Sequence, residues 1–556
     1  MNKLEKLNRF AETPVIMDMK RSKFNMSHSH KTTFNSGYLI PIDCIEVLPD
    51  DTIKVSVASV VRSINPAVPV MDNAYLDIFG FWVPSRLCTV HEKDCQKIQG
   101  ENTSGFWAPS TESTLQNTGN TFVVTNSGLS NTGIQEQSLG SYFKLPIGFY
   151  HTNMNLSRLP FNGYWEIYNN WFRDQNTQSP IDWKSFTSTV FMNKVTVSDS
   201  NSSTGLCQVN KILDFYNGCL PSPQKGSSVL LPLAGEAPVK TSTTDGVNVQ
   251  GATPLHLKLV SNNGLTSGPL GISSGAVYHS TASFTPTSNG LAPSNLYADL
   301  AAATTTTIND LRQGFAIQKL LEKDARGGSM YRQMLLIHFN CSIPDNTVQV
   351  PEYLGGKRIP LNMLQVLQTT PTSSSPLGKE GAFSNTADSS YLFTKSFTEY
   401  GYLYILACVR PLQSYSQGIS KMFTRNRRYD FYYPVFANLG EMAVKETEIY
   451  AKNTSDLTEV FGYQEAWAEY RYIPNAVSGM IAYGSSDSLA QQWVYQNRFS
   501  AKPVLNSAFR VQDKSQIGNT FVVNTANYQF IGDFYFDMKA WRAMPYYSIP
   551  GLIDHH

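Results

Sequence analysis

Charged residues are scarce in this chain of 556 residues. Asp, Glu, Lys and Arg together make up 16% of it, whereas soluble domains usually carry roughly 25%. A free monomer with so few charges would be poorly protected against association. Aromatic residues are plentiful instead, at 12%. The composition therefore favours a protein that hides much of its surface against neighbours, as the subunit of an obligate assembly does.

Signals for disulfides, export and membrane insertion are also missing. The seven cysteines are odd in number, scattered, and without a CxxC pair, which favours reduced thiols over a disulfide framework. The opening segment MNKLEKLNRFAETP lacks the apolar stretch of a signal peptide. No run approaches the roughly 20 apolar residues of a membrane helix. We therefore expect synthesis in a cytoplasm and no membrane insertion.

The motifs of common enzyme families are absent as well. The sequence has no P-loop, Rossmann glycine fingerprint or HExxH. His91-Glu92 is followed by Cys95, but zinc needs three or four ligands and no partner set accompanies them. Glu465 and Glu469 stand four apart, a spacing that a glycosidase pair on a helix would also show. We expect no enzyme activity, no bound metal and no cofactor.

Strand-like segments dominate the local pattern. Short runs rich in β-branched and aromatic residues lie between turn residues such as Pro49-Asp50-Asp51. They occur at 37–48, 52–61, 74–83, 331–340, 391–409, 429–436 and 530–538. Because the strands do not alternate with helices, the pattern predicts a mainly β fold, a sandwich or jelly roll, with long loops between some strands.

An aromatic helix is predicted between Phe161 and Arg173. Its large aromatic residues recur at helical spacing on one face, namely Phe161, Tyr164, Trp165, Tyr168, Trp171 and Phe172. Such a face would also suit a cofactor or ligand. Packing against a sheet is the favoured interpretation, because burial of the apolar face is what makes such a helix stable.

A second helix is predicted from Ile308 to Arg326. Thr307 and Asp310 resemble a capping box at its start, and Gly327-Gly328 would end it. Its apolar positions are expected to face the core, and they are Leu311, Phe315, Leu320 and Leu321.

The segment from Thr241 to Ser294 contains only Asp245 and Lys258 as charged residues. Apolar residues recur in it, whereas disordered segments are usually more charged and less apolar. We interpret it as an ordered surface insertion with short strands of its own. A disordered loop is the alternative, although structureless loops of this length are uncommon in compact domains. Recognition sites often lie on such loops.

Basic residues are unevenly placed although the net charge is only +1. One group near the start contains Lys3, Lys6, Arg9, Lys20, Arg21 and Lys23, and a second contains Lys421, Arg425, Arg427 and Arg428. Either group could contact nucleic-acid phosphates. Short charge runs are usually solvated surface, and we favour that interpretation of both groups.

Strings along nearly the whole chain are similar to one family of proteins. They include SHSHKTTFNSGYLIPID at 27–43, FWVPSRL at 81–87, LPFNGYWEIYNNWFRDQNTQ at 159–178, LPSPQKG at 220–226, NLYADL at 295–300, QKLLEKDARGGSMY at 318–331, FGYQEAWAEYR at 461–471 and MPYYSIPGLIDH at 544–555. The chain thereby resembles the major capsid protein of the gokushoviruses, small single-stranded DNA phages of the microvirus group. The segments 88–98, 102–138 and 241–294 do not share the resemblance.

The resemblance implies a fold and a division of the chain. The expected fold is mainly β, an eight-stranded antiparallel jelly roll of the viral capsid type with large loop insertions and a few helices. The expected division is an N-terminal arm at 1–36, a jelly-roll domain at 37–240 and 295–556, and the insertion at 241–294. In capsids of this family a long insertion forms protrusions at the threefold axes, and the resemblance implies that 241–294 is that insertion.

The resemblance also implies a function. The chain would self-assemble through pentamers into a T=1 icosahedral shell of 60 copies around a circular single-stranded DNA genome, bound without sequence preference. The insertion would mediate attachment to a host surface receptor. Scaffolding, pilot and small DNA-binding phage proteins are the other expected partners, and the virion is the expected location after synthesis in the host bacterial cytoplasm. The alternative function is a non-viral jelly-roll module that binds or hydrolyses glycans.

Overall fold

The structure is a computed structural model that describes part of the chain in two compact units. The main unit is Met1–Pro223 with Ala325–His556, and the inserted unit is Gln224–Asp324. The described residues are 20–88, 121–123, 133–148, 155–186, 189–193, 205–226, 229, 239–241, 256–259, 268–273, 276–279, 291–293, 296–298, 308–328, 331–342, 344–345, 349–371, 376–451, 459–522 and 528–547.

Strands are the commonest regular elements in these ranges. In chain order they are β1 Ser22–Asn25, β2 His28–Phe34, β3 Ile40–Val47, β4 Thr52–Ser63, β5 Ala74–Pro84, β6 Thr121–Val123, β7 Asn155–Ser157, β8 Val239–Thr241, β9 His256–Leu259, β10 Gly268–Ser273, β11 Ala276–His279, β12 Leu291–Pro293, β13 Leu296–Ala298, β14 Glu352–Pro360, β15 Met363–Leu367, β16 Glu380–Ser384, β17 Thr386–Ser396, β18 Gly401–Pro411, β19 Ser414–Tyr415, β20 Met442–Lys445, β21 Val460–Gln464, β22 Asn475–Ala476 and β23 Phe530–Arg542.

Helices are fewer and mostly short. The α-helices are α1 Leu139–Tyr142, α2 Leu159–Ile167, α3 Thr189–Met192, α4 Ile308–Gly327, α5 Tyr331–Phe339, α6 Ser507–Arg510 and α7 Ser515–Gly518, and a π-helical stretch, Tyr168–Phe172, continues α2. The 3₁₀ turns are Ser85–Cys88, Trp183–Ser185, Lys421–Thr424, Arg428–Asp430, Pro434–Phe436, Glu446–Glu448, Ala468–Tyr470, Gly479–Ile481 and Ala490–Trp493. No described helix combines the length and apolar content needed to cross a membrane.

Two antiparallel sheets form the framework of the main unit. One has the order β1/β2–β23–β4–β17 and the other the order β14–β5–β18–β3. Along β23 buried and more exposed residues alternate, because successive side chains of a strand point to opposite faces of its sheet. Neighbours in each sheet are distant in sequence, as in a jelly roll. The predicted mainly β, jelly-roll class is confirmed.

The edge beside β23 departs from the predicted strand count and from the predicted arm. β1 and β2 pair with consecutive stretches of β23, from Ser22 opposite Arg542 to Phe34 opposite Phe530. The two sheets therefore contain nine strands, and a count of eight requires β1 and β2 to be taken as one interrupted strand. Residues 22–34 of the predicted 1–36 arm belong to a sheet, because their backbone groups complete the open edge of β23.

The main core lies between the two sheets and under the aromatic helix α2. Tyr164 and Trp165 are completely buried. The Tyr164 hydroxyl donates to the Leu39 carbonyl (2.7 Å), and the Tyr404 hydroxyl donates to the Pro160 carbonyl (2.7 Å). The prediction that the aromatic helix packs against a sheet is thus correct, with the helix starting at Leu159.

A second core cluster lies in the same unit, away from the sheets. Its buried residues come from loops and short elements between 215 and 509, and they are Phe215, Tyr216, Cys219, Tyr415, Val444, Ile449, Tyr450, Phe461, Ala468 and Phe509. This cluster gives the long loops after β18 a packed interior of their own.

Two of the strand predictions are wrong. Residues 331–340 are almost entirely the helix α5, and 429–436 contain two 3₁₀ turns instead of a strand. A short apolar run does not distinguish a strand from a helix by its periodicity. In the second segment Pro434 starts a 3₁₀ turn, where its fixed φ angle suits the turn and its missing N–H costs nothing.

The second predicted helix is present as α4, and its capping residue Thr307 lies outside the described part. The prediction that its apolar residues face the core is wrong for Phe315 and Leu320, which are 66% and 50% exposed. Helical periodicity shows that a helix has an apolar face, but it does not show that the same chain covers that face.

The inserted unit contains short strands. One sheet has the order β11–β10–β9–β12, and β13 pairs with β8; all of these pairings are antiparallel. Short strands were expected within 241–294, and the structure has them there. The compact unit is wider than that segment, since it runs from Gln224 to Asp324.

Candidate interface surfaces

The loop between β19 and β20 carries an unusual density of exposed apolar side chains. Between 421 and 439 the exposed large residues are Met422 (62%), Phe423 (72%), Tyr429 (70%), Phe431 (49%), Tyr432 (45%), Tyr433 (37%), Val435 (89%) and Leu439 (49%). Monomeric proteins rarely expose contiguous apolar patches larger than a few hundred Å². The loop therefore has the character of a contact surface.

The exposed rings of this loop pack in two groups. Tyr429 and Tyr433 each pack on Phe436, at centroid distances of 6.3 and 6.1 Å. Tyr432 lies 6.3 Å from Tyr470, beyond which Ile473 is 89% exposed. We call the 421–439 loop together with 470–473 the aromatic surface. The only sign of this surface in the sequence was the high aromatic content of 429–436. Aromatic residues are also enriched in strands, so the same content was interpreted as a strand.

Two of the four basic residues predicted in this loop are engaged inside the protein. Arg425 donates to a Glu469 carboxylate oxygen (2.9 Å), and Lys421 lies 3.6 Å from the same oxygen. The Arg425 guanidinium also stacks over Tyr470 at 4.5 Å, and its side chain is only 9% exposed. Lys421 and Arg425 therefore hold the loop against the 3₁₀ turn that contains Glu469.

Arg427 and Arg428 remain on the exposed face of the loop. The carboxylate of Asp430 accepts the backbone N–H groups of Asn426 and Arg427, and these hydrogen bonds hold the pKa of Asp430 below its usual value. Arg428 donates to the Tyr433 hydroxyl (3.4 Å). The structure thus divides the predicted basic group into an inner pair and an outer pair.

The basic group near the start of the chain is also divided. Lys3, Lys6 and Arg9 lie outside the described residues, and Lys20 is exposed. Arg21 donates to the carbonyls of Asp50 and Trp541 and to the Thr52 hydroxyl. Lys23 lies 5.5 Å from the centre of the Trp541 ring. Arg21 therefore helps to hold β1 at the sheet edge.

The two carboxylates singled out in the sequence are engaged in ion pairs. Glu465 pairs with Arg471 (2.9 Å), while Glu469 pairs with Lys421 and Arg425. The described part contains no group of three metal-binding side chains. Cys44, Cys88, Cys207, Cys219, Cys341 and Cys408 are all free thiols; His91 and Cys95 lie outside the described residues.

Comparison with known proteins extends the match to nearly the whole chain. Residues 15–552 match the family described as capsid protein (F protein). The chain is 35% identical to capsid protein VP1 of Bdellovibrio phage phiMH2K over 549 residues, covering 97% of each chain. It is 34% identical to VP1 of Spiroplasma virus 4, covering 96% of this chain and 95% of the relative. It is 32% identical to VP1 of Chlamydia phage 1, covering 98% of each chain.

Proposed function

This chain belongs to the capsid protein (F protein) family of small phages, and from that premise we propose that 60 copies, joined first as pentamers, close into a T=1 icosahedral shell. Membership of a capsid protein family gives this chain a structural role and places it in the virion. The gokushovirus branch, the symmetry and the enclosed circular single-stranded DNA are parts of the proposal. The family match over nearly the whole chain leaves the alternative, a glycan-binding or glycan-hydrolysing module, without support.

The observation that carries the proposal is the aromatic surface. We assign a second copy of this chain as the partner that covers its apolar side chains around Val435 and Ile473, and this contact leaves Arg427 and Arg428 uncovered. Val435 and Ile473 are each 89% exposed although both are fully apolar. Burial stabilises by roughly 25 cal/mol per Å² of apolar surface, and closed shells repeat each contact many times. Aromatic residues are enriched at the centres of protein interfaces, and lysine and glutamate are depleted there. The aromatic surface has this composition.

Assembly of purified protein tests this proposal. Val435→Asp and Ile473→Asp place a charge at the centre of the contact without disturbing either core cluster, so both variants should remain folded and fail to form shells. Val435→Leu is the matched control and should assemble. Electron microscopy and analytical ultracentrifugation give the readout. Normal shells from both aspartate variants would show that the aromatic surface is not part of the contact between copies. A wild-type protein that does not assemble would contradict the shell itself.

Contact with packaged DNA forms a subsidiary part of the proposal. Arg427 and Arg428 are the described residues of the basic loop that are exposed and held by no carboxylate in an ion pair. Phosphate contacts of this kind are independent of sequence and weaken with salt. Lys3, Lys6, Arg9, Lys20 and Lys23 are the corresponding candidates near the start of the chain.

The remaining partners follow from the same premise. We propose that 241–294 attaches the particle to a receptor on the host surface, since ordered loops on a rigid scaffold are common recognition sites. Scaffolding, pilot and small DNA-binding proteins of the phage complete the set of partners. The free thiols agree with synthesis in the host bacterial cytoplasm, because disulfides are rare in that compartment.

A further inference from the structure

Lys211 and Asn497 bring an amine and a side-chain amide into contact on the wall of a cavity of about 400 Å³. The Lys211 Nζ atom lies 3.1 Å from the Asn497 side-chain oxygen, although the two residues are 286 positions apart in the sequence. Backbone pairing fixes the position of Lys211, because its N–H donates to the Arg510 carbonyl (2.9 Å). A lysine amine is a nucleophile that forms covalent bonds with carbonyl carbons, and the Asn497 amide carbon is one bond away from the contacted oxygen.

The Asn497 side chain is held in one orientation. It is buried, and its Nδ2 atom donates to the Gln413 side-chain oxygen (3.0 Å) and to the Ser414 carbonyl (3.4 Å). The backbone N–H of Asn497 donates to the same Ser414 carbonyl (2.9 Å). The oxygen side of the amide therefore faces Lys211. Two reactants that the fold holds in contact need no bimolecular encounter, which removes a large part of the barrier to reaction.

The surroundings of Lys211 favour its neutral amine, which is the nucleophilic form. The Nζ atom lies 4.5 Å from the centre of the Phe509 ring, and Phe509 is itself buried. Burial lowers the pKa of Lys211 to about 8, whereas an ordinary lysine titrates at roughly 10.4. A larger fraction of Lys211 is therefore neutral near pH 7, as in lysines that act as nucleophiles from apolar pockets.

Asp214 is the carboxylate best placed to carry a proton during such a reaction. Its charge acts on Lys211, and it accepts a hydrogen bond from the Tyr415 hydroxyl (2.7 Å). Tyr415 follows Ser414, whose carbonyl holds the Asn497 amide. Burial raises the pKa of Asp214, which brings it closer to neutral pH, where a group takes up and returns protons most effectively. Proton transfer through one water in the cavity is sufficient for this role.

We propose that Lys211 and Asn497 react with each other to form an isopeptide bond. The lone pair of the neutral amine attacks the Asn497 Cγ atom, and a carbon–nitrogen bond forms. The bond from Cγ to Nδ2 then breaks, and the leaving nitrogen departs as ammonia with a proton from the attacking amine, passed on by Asp214. One amine and one primary amide thus give one secondary amide and one ammonia, and no co-reactant is needed. The chain modifies itself once and does not turn over a substrate.

The bond would connect two remote parts of the main unit. Asn497 belongs to the long connection between β18 and β23, which also carries the aromatic surface. A cross-link restricts the unfolded chain and thereby stabilises the folded one, so the bond would keep this connection attached to the subunit during assembly. The inference goes beyond the proposed function and does not depend on it, because the reaction takes place within a single chain.

Intact-mass spectrometry of the purified, unassembled protein tests the bond. We expect wild type to be lighter than its sequence by one ammonia, and Lys211→Arg to have its full mass. Arginine at this position keeps the charge and can still donate to Asn497, but it forms no amide. Lys502→Arg is the matched control and should still lose the ammonia, because Lys502 lines the same cavity but pairs with Glu446 and Glu459.

Digestion of the protein identifies the linked residues directly. Wild type should yield one branched peptide that contains both Lys211 and Asn497, and this result does not depend on how well any variant folds. A full sequence mass in wild type after several days at about pH 9 would overturn the proposal. A loss of ammonia that persists in Lys211→Arg would also overturn it, since another asparagine would then be the source.

The rate of linkage tests the proton carrier and the attacking amine. Asp214→Asn should form the bond roughly a hundredfold more slowly than wild type, and equal rates would exclude Asp214 as the carrier. Linkage in this slow variant should quicken from about pH 7 to about pH 9, as Lys211 loses its proton. The other charged groups of the lining are Asp513, Arg498 and Lys502, and groups of these types keep their charge over that range. A rate independent of pH would contradict attack by the amine.

Discussion

At the scale of single residues, the main unit holds several buried charges in ion pairs. Asp43 is 2% exposed and accepts from His28 Nε2 (3.1 Å) and the Lys144 ammonium (2.6 Å). Asp77, also buried, pairs with Arg358 and Arg410. Removing one partner of such a group leaves an uncompensated buried charge, which costs more than the pair contributes. These pairs join segments far apart in sequence.

His28 gives one of these pairs a pH dependence. The hydrogen bond that His28 donates to the Asp43 carboxylate raises the pKa of His28 above 6.5 and outweighs the opposing effect of burial. Protonated His28 therefore stabilises the fold below pH 6.5, and this contribution is lost as the pH rises through the higher pKa of the folded state. We expect His28→Gln to lower the free energy of unfolding most at about pH 5 to 6, and less at neutral pH, in guanidinium titrations of the unassembled protein.

His30 supplies a control of opposite sign. Burial lowers the pKa of His30, so the folded state resists its protonation and wild type loses stability relative to His30→Gln as the pH falls below 6.5. The same trend with pH in both variants would contradict the assignment of the His28 effect to Asp43.

Variants of the outer pair, Arg427 and Arg428, should differ from a variant of the inner residue Arg425 in their effects on DNA binding and on stability. Replacing Arg427 and Arg428 by alanine should leave stability unchanged and make the salt dependence of single-stranded DNA binding shallower, by on the order of 0.7 in slope per lost phosphate contact. Arg425→Ala should instead lower the free energy of unfolding, because it leaves Glu469 poorly compensated. Binding titrations at several salt concentrations and denaturant titrations measure the two effects. An unchanged slope in the Arg427 and Arg428 variant excludes them as DNA contacts.

At the scale of elements, a helix or strand was predicted correctly when its own sequence was long and regular enough to show its periodicity. β4 and the aromatic helix α2 have long, regular patterns, and both were predicted within a few residues. α5 and the 429–436 turns are short apolar or aromatic runs, and both were predicted as strands. A short run has too few periods to separate the two geometries, so its neighbours in the fold decide between them.

The close packing of α2 against β18 predicts that a larger residue at Gly163 lowers stability. A Cβ added at Gly163 would overlap the Tyr404 hydroxyl and crowd the Cys88 sulfur. Gly163→Ala should therefore cost roughly 1–3 kcal/mol, as overpacking in a core does, although alanine is the better helix former. Denaturant titration gives the value.

A double variant and a second glycine control this experiment. Tyr404→Phe removes the hydroxyl, so Gly163→Ala should cost less in that background than in wild type. Gly381→Ala has room for its Cβ and should change stability little. Equal costs of Gly163→Ala in both backgrounds would argue against the overlap with Tyr404.

At the scale of the whole molecule, the chain exposes apolar surface that a monomer would bury. The aromatic surface, Phe315 and Leu320 of α4, and Leu364 and Val366 of β15 are all open to solvent in the single chain. A shell subunit is expected to bury one core within its own chain and to leave further apolar faces exposed for contact with neighbouring copies. It also explains why low charge is tolerated.

The proposed attachment role belongs to this scale as well. Replacing 241–294 by a short Gly/Ser linker should leave shells intact, since the segment falls within a compact unit of its own, and should abolish adsorption to the host. Particle yield by microscopy and adsorption counts measure the two effects. The exchange of this segment for that of a relative is the matched control and should transfer adsorption to the relative's host. Unchanged adsorption after replacement would end the attachment role.

The sequence by itself determined the class of the protein, its mainly β fold, the aromatic helix and its capsid family, because strand alternation, helical spacing and long ordered strings are local properties that persist in any fold of the chain. Only the tertiary structure decided which basic residues are engaged, since Lys421 and Arg425 meet Glu469 across more than forty positions. It alone brought Lys211 and Arg498 to one cavity and showed that Phe315 and Val435 are exposed. Charge neutralisation, enclosure and exposure depend on distances between segments remote in sequence, and no local pattern contains those distances.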